Sequence, residues 1–231
     1  VVHNIVKPLV LPWRLSCAEV LGSEQADWFV SHFWGHAFAA LVESLRRHAC
    51  AEVGAAHWGS QCYWICSFSN NQYRVEEELG GHWSNSSFYK ALRSPGCRGT
   101  CLIVDETAKA LERSWCLFEF VQTQKAREQD SGFRGLTFCS HTGVVNSGDA
   151  SFEVTLGLSE TLSRLDLAQA TATCAADQRM IRDFVEAEGG FEAMNQLLRQ
   201  RVAAALAAAR AAAVQKSTEL ESRLAWGGCR R

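Results

Sequence analysis

Thr100-Cys101-Leu102-Ile103-Val104 is an uninterrupted apolar run that closes on Asp105, and its reading decides the fold class. A run apolar at every position is the pattern of a strand covered on both faces, as in a parallel sheet. Beyond it, Leu111, Trp115, Phe118 and Val121 share one helical face running towards Arg127, and Leu136 to Cys139 reads as a further strand. Before it, Gln61 to Phe68 is a strand candidate through Tyr63, Trp64, Ile65 and Cys66. Asp27 to His32 is a short buried strand, followed by Gly35 and a helical stripe at Phe38, Leu41, Val42 and Leu45. A long polar loop leads to a short helix near Phe88 to Leu92, ended by Arg93-Ser94-Pro95-Gly96. The order β-α-β-α-β-α-β predicts an α/β, doubly wound three-layer sandwich with right-handed crossovers.

The flanks read differently. Residues 1–25 are an irregular lead-in, because Pro8 and Pro12 interrupt any continuous helix. Thr142 to Asp149 is a turn-rich insertion (Gly143, Asn146, Gly148), and Phe152 to Leu156 is expected to add a fifth, edge strand. The α/β domain is therefore placed at 26–158 and a C-terminal helical region at 159–231. There Met180, Ile181, Phe184 and Val185 form one stripe, stopped by Gly189-Gly190, and Phe191, Met194, Leu197, Leu198 and Val202 form the next. Ala203 to Ala213 is strongly helix-forming but offers little to pack. The basic excess from Arg199 to Arg231 is read as a solvated helix face.

The chain has 231 residues, 47% hydrophobic and 21% charged, which excludes general disorder. That length buries roughly 70% of the unfolded surface without needing disulfides or metals. A net charge of −2 gives no electrostatic reason for nucleic-acid binding. No apolar run approaches the roughly 20 residues of a membrane span. Ten cysteines in a chain this long, several inside strand-like runs, point to reduced thiols in the cytoplasm. Cys62–Cys66 and Cys97–Cys101 are not paired C-x-x-C knuckles and no H-x-x-x-H follows, so no metal site is expected. Asn85-Ser86-Ser87 matches a glycosylation sequon but reads as a helix cap. The first residue is Val1 rather than Met, as in an excised region or an incomplete gene model.

No phosphate-binding glycine fingerprint, H-E-x-x-H or G-x-S-x-G occurs. Ser31 and His32 are strand neighbours pointing to opposite faces, which disfavours a Ser-His catalytic pair, and His32 is expected to be a satisfied buried histidine. In a parallel sheet ligands bind beyond the carboxyl ends of the strands. Ser31-His32-Phe33-Trp34-Gly35, Ser67 to Gln72, and Asp105-Glu106 all fall there, and Arg113 to Glu119 follows. Glu119 has Trp115, Cys116, Gln122 and Thr123 at helical spacing, none cationic, so no local ion pair accounts for it. It is read as a half-sheltered carboxylate near a polar cleft. Trp34 is read as stacking on a ligand ring or sealing the core, with the core favoured. The Glu76-Glu77-Glu78 run is expected to face solvent.

Two stretches carry a family resemblance. Asp27-Trp28-Phe29-Val30-Ser31-His32-Phe33-Trp34-Gly35 resembles the opening strand of Toll/interleukin-1 receptor (TIR) domains, with its D-x-F-[LVI]-S pattern. Arg113-Ser114-Trp115-Cys116-Leu117-Phe118-Glu119-Phe120-Val121 resembles the third-helix signature S-x-W-C-L-x-E-[LF] of the same family. The combination is similar to a divergent TIR-like group of unicellular eukaryotes and covers roughly residues 25–140. Where plant-type enzymes carry an arginine before the glycine and acidic residues after it, this chain has Trp34, His36 and Ala37. The resemblance implies a flavodoxin-like parallel sheet of about five strands. It further implies either homotypic self-association in signalling or cleavage of NAD at the nicotinamide–ribose bond. In the second case Glu119 is the catalytic carboxylate and NAD is the substrate, with no cofactor required. The substrate pocket then comprises Ser31, Trp34, Gly35, Ser67, Asn70, Asp105, Trp115 and Cys116. A related nucleoside N-glycosidic hydrolase or transferase is a further alternative, since a carboxylate over a ribose suits any such cleavage.

Overall fold

The computed structural model describes residues 1–227. Its centre is a five-stranded sheet in the order β2-β1-β3-β4-β5, and its first six α-helices are α1 (Lys7–Val10), α2 (Cys17–Leu21), α3 (Phe38–Val53), α4 (Cys66–Ser69), α5 (Val75–Leu79) and α6 (Ser87–Leu92). Strands β1 (Trp28–Ser31), β2 (Tyr63–Ile65), β3 (Gly99–Ile103) and β4 (Leu136–Ser140) are parallel, and β5 (Gly143–Val144) runs antiparallel to β4. This is the flavodoxin-like order, whose switch point lies between β1 and β3. The second strand is shorter than its apolar run, because Cys66–Ser69 turns into helix at once.

Strand alternation assigns the two faces. Trp28, Val30, Cys101, Ile103 and Cys139 face α3 (Phe38–Val53), which contributes Leu41 and Leu45. Leu102, Phe138 and their neighbours face α7 (Ser114–Gln129). Phe29 lies on that side too, with Leu92 from α6 (Ser87–Leu92) and Phe133. Ser86 caps α6, its hydroxyl accepting from the Tyr89 N–H at 3.2 Å.

The fifth strand is not where the sequence placed it. Phe152, Val154 and Leu156 alternate as in a strand, yet Phe152–Arg164 is helix α8. Ser151 caps it by accepting from the Val154 N–H, and Thr155, Leu158 and Leu162 form the buried stripe while Phe152 and Leu156 are exposed. The edge of β4 is instead closed from within the turn-rich insertion. A Cβ at Gly143 would meet the Asp149 carbonyl oxygen at 2.5 Å, so the tight β4–β5 turn needs glycine. Past it, the Asn146 side chain accepts from the Phe138 N–H and donates to the Leu136 carbonyl, standing in for a missing strand.

The lead-in is more ordered than its prolines implied. Val2–Val6 and Lys7–Val10 are helical, with Pro8 tolerated near the helix start, and Cys17–Leu21 follows behind a Ser16/Glu19 capping box. Val6, Val10 and Cys17 pack against Phe68 and Tyr73.

Beyond α8, Ala175–Ala187 forms α9 and Gly190–Gly227 forms α10. Ile181, Phe184, Val185, Leu198 and Val202 belong to the same buried cluster as Leu102, Phe118 and Phe138. Helix α8 runs across position 158, and the alanine stretch also packs, with Ala205 and Ala209 buried. Arg230 and Arg231, part of the basic tail, lie outside the described residues.

Candidate active site

A hollow of about 500 Å³ opens at the carboxyl end of β1, beside α7. Two local devices fix its floor. Ser31 lies on the α7 side of β1, in the alternation that puts Trp28 and Val30 on the other face. From the helix, the Thr123 hydroxyl donates to the Glu119 carbonyl at 2.7 Å and lies 2.7 Å from the Thr100 hydroxyl on β3. That chain ties the turn of α7 carrying Glu119 to the sheet. Cys116, one turn earlier, directs its thiol at the His32 carbonyl, 3.6 Å away.

Glu119 lines the hollow yet is only 4% exposed, so it is buried rather than half-sheltered. Among the described residues its Oε2 has no hydrogen-bond partner and no salt bridge. The Ser31 hydroxyl is close enough to favour the charged form, but its Oγ completes no hydrogen bond. Burial dominates and pushes the Glu119 carboxyl up to about 8, so it holds its proton at neutral pH. Cys116 and Cys66 are likewise raised by burial, Cys66 to about 12, so both stay neutral thiols.

Two further orphaned polar atoms occur among the lining residues. Asn70 Oδ1 and His32 Nδ1 have no partner among the described residues, and both residues are buried. His32 is buried as expected; the Val30 backbone is close enough to favour its charged form, but Nδ1 completes no hydrogen bond among the described residues. Burial and the nearby His36 lower its pKa to about 4, leaving a neutral ring. Buried polar groups are paired in the great majority of cases, so three such atoms around one hollow set it apart.

Of the expected pocket residues, Trp34, Asn70, Trp115, Cys116 and Glu119 come together. Trp34 is not in the core. It is 58% exposed, held by its indole N–H to Cys66 Sγ at 3.2 Å, and offers a free ring face at the rim. Trp115 is fixed in the wall, stacked on Phe88 and donating its N–H to Asp177 at 3.1 Å. Ser31 lies beneath the floor. Ser67 turns to a smaller neighbouring hollow lined also by His36 and Phe68. Gly35 does not line the main hollow; a Cβ there would strike the Phe33 ring at 2.3 Å, so its part is to let Phe33 fold into the wall. Asp105 faces His36 Nε2 at 3.1 Å instead. Burial works against its charge, but hydrogen bonds from Thr107 and the proximity of His36 keep its pKa low. Glu76 and Glu77 do face solvent, whereas Glu78 turns back to accept from the Asn71 N–H at 3.0 Å.

Sequence reasoning missed one side of the hollow. Thr171, Thr173, Cys174 and Asp177 line it from the segment before and at the start of α9. The long separation from residue 119 hid them. It also passed over Arg113, quoted merely as the start of a motif. Arg113 lines the hollow, donates to the Thr173 hydroxyl at 3.1 Å, and forms no ion pair among the described residues. An isolated arginine immediately before a helix was the available signal. Comparison with protein-family models, curated proteins and solved structures finds no match to this chain.

Proposed function

We propose that the hollow binds NAD and that the protein is a TIR-like NAD nucleosidase with Glu119 as its catalytic carboxylate. The observation that carries this reading is a buried, unpartnered carboxyl at the floor of a hollow at the sheet's switch point. Glu119 Oε2 and Asn70 Oδ1 are both acceptors, matching the hydroxyl donors of a ribose. Arg113 is a free cation for the pyrophosphate, and the exposed Trp34 ring is a stacking face for nicotinamide or adenine.

The chemistry needs little more. The C1′–N bond breaks with its electron pair leaving on the pyridinium nitrogen, so nicotinamide departs neutral and no general acid is required. Positive charge develops on the ribose, and a carboxylate beside it stabilises that charge in a water-poor site. The arriving pyridinium favours loss of the Glu119 proton, so substrate binding itself ionises the group. Water then adds at C1′ and releases a proton, giving ADP-ribose.

The test is nicotinamide release from NAD by the purified chain and by Glu119→Gln, run across protein concentrations because clustering governs activity in the resembled family. Turnover that falls by about 10²-fold or more in the variant, with the fold retained, is expected. Equal rates in both proteins exclude Glu119 as the catalytic group. A free-nucleoside panel run alongside separates NAD from other N-glycosides.

One observation favours a second reading, a non-catalytic self-associating module. Ile5, Leu9, Leu11 and Trp13 of the lead-in are all exposed, an apolar group that homotypic contact would cover. Concentration-dependent assembly without turnover at any concentration supports that reading instead.

A further inference from the structure

On the other face of the sheet, α3, β3 and β4 bring together His48, Cys101 and Cys139. A ring nitrogen of His48 and the two sulfurs all lie within 4.8 Å of one another. All three residues are buried, His48 at 1% exposure, and both cysteines are free thiols. Around the two cysteines the packing is apolar, from Trp28, Val30, Leu41 and Ile103.

The imidazole is fixed through one of its ring nitrogens. Nδ1 lies 2.9 Å from the Tyr63 hydroxyl, and that hydroxyl donates onward to the Leu45 carbonyl at 3.3 Å. With the tyrosine proton committed there, Nδ1 is the protonated nitrogen and Nε2 keeps a bare lone pair. Nε2 is buried and has no hydrogen-bond partner among the described residues. Metal-bound histidines are oriented by just such a bond from the other ring nitrogen.

We propose that His48, Cys101 and Cys139 form a binding site for a soft closed-shell cation, Zn(II) or Cu(I). Two thiols and an imidazole are the donor set such ions select. On binding, two metal–sulfur bonds form and two S–H bonds break, releasing two protons. With Zn(II) the two thiolates and the neutral ring sum to zero charge, which suits the apolar packing around the cysteines, while the charges of Arg134 and Arg98 act on the ring. Cu(I) is satisfied by three donors, whereas Zn(II) recruits a fourth. Metal–ligand bonds of about 2.0–2.3 Å set donor atoms roughly 3.5–4 Å apart, so the cluster closes by about 1 Å or less. A site this deep is filled as the chain folds rather than afterwards. The elements involved lie across the sheet from Glu119, so the proposal stands or falls apart from NAD cleavage.

The test is metal analysis of the full chain, refolded under reducing conditions with Zn(II) in one arm and Cu(I) in the other, then dialysed. Wild type is expected to retain about one ion per chain in at least one arm. Cys101→Ala, which keeps an apolar side chain, is expected to lose it, and Cys17→Ala, a buried thiol elsewhere, to keep it. A wild-type readout covers the case in which Cys101→Ala does not fold: Co(II) should give a thiolate-to-metal charge-transfer band. Wild type that retains no ion in either arm and shows no such band overturns the proposal. So does a Cys101–Cys139 disulfide under reducing conditions, seen as a mass two hydrogens light.

Discussion

Under α7, Glu119 sits at the floor of an open hollow with Asn70 and His32 unpartnered among its lining residues; under α3, His48, Cys101 and Cys139 sit among apolar side chains. Both clusters are buried, and both bury polar atoms that lack partners. They differ in access and in the chemistry of their atoms. The first presents hard oxygen acceptors to a space large enough for a nucleotide fragment. The second gathers a ring nitrogen and two thiols within 4.8 Å of one another, enclosed by packing side chains. Burial alone therefore does not define a site; what can reach the orphaned atoms does.

Truncation separates how the two faces are held. Phe118 is fully buried among Trp83, Trp115 and Phe184, joining α7 to α9. Phe118→Ala should cost about 3–5 kcal/mol by denaturant unfolding. Leu45 of α3, at the margin of the smaller cluster, should cost nearer about 2 kcal/mol as Leu45→Ala. Equal losses would mean that the C-terminal helices add nothing to the α7 face.

The buried carboxyl and the buried histidines should respond oppositely to pH. Glu119 has a folded pKa of about 8 against an ordinary 4.5. Between those values the unfolded chain has lost a proton that the folded chain keeps, so stability falls as pH rises, by roughly 1.4 kcal/mol per unit at most. His48 is lowered by burial, and by Arg134 and Arg98, from 6.5 to about 4. Its window runs the other way: stability rises with pH from about 4 to 6.5. Urea unfolding of wild type and Glu119→Gln across pH 5–8 isolates the first effect, because the histidines are common to both. The two proteins should differ by a gap that widens with pH, the variant being relatively stabilised at pH 8. A constant gap would show that Glu119 ionises normally.

A smaller effect distinguishes binding from chemistry within the hollow. Arg113→Ala should raise KM for NAD by about tenfold or more, with kcat little changed, if its guanidinium meets the pyrophosphate as proposed. A loss confined to kcat would place Arg113 in the chemical step.

The apolar runs at Trp28–Ser31, Thr100–Val104 and Leu136–Cys139 made the parallel core legible, because a strand buried on both faces has no competing pattern. Alternation misled at Phe152–Leu156, where an N-cap at Ser151 and a stripe continuing to Leu162 outweighed three period-two residues. The carboxyl-end rule placed Glu119, Trp34 and Asn70 together, but it could not tell which loop residues turn inward. Asp105 turned to His36 and Ser67 to a neighbouring hollow, and no local spacing encodes such turns. The Thr171–Asp177 wall and the His48/Cys101/Cys139 cluster were invisible for one reason. Each is assembled from residues far apart in sequence, whereas motif reading sees only fixed short spacings.

The account rests on Glu119 being a protonated, ligand-facing acid. A carboxyl-selective ¹³C NMR titration of wild type, with Glu119→Gln assigning the resonance, measures this directly. The account predicts a midpoint near 8 in the free protein, moving down when NAD is added. A midpoint near the ordinary 4.5, unmoved by NAD, would contradict it.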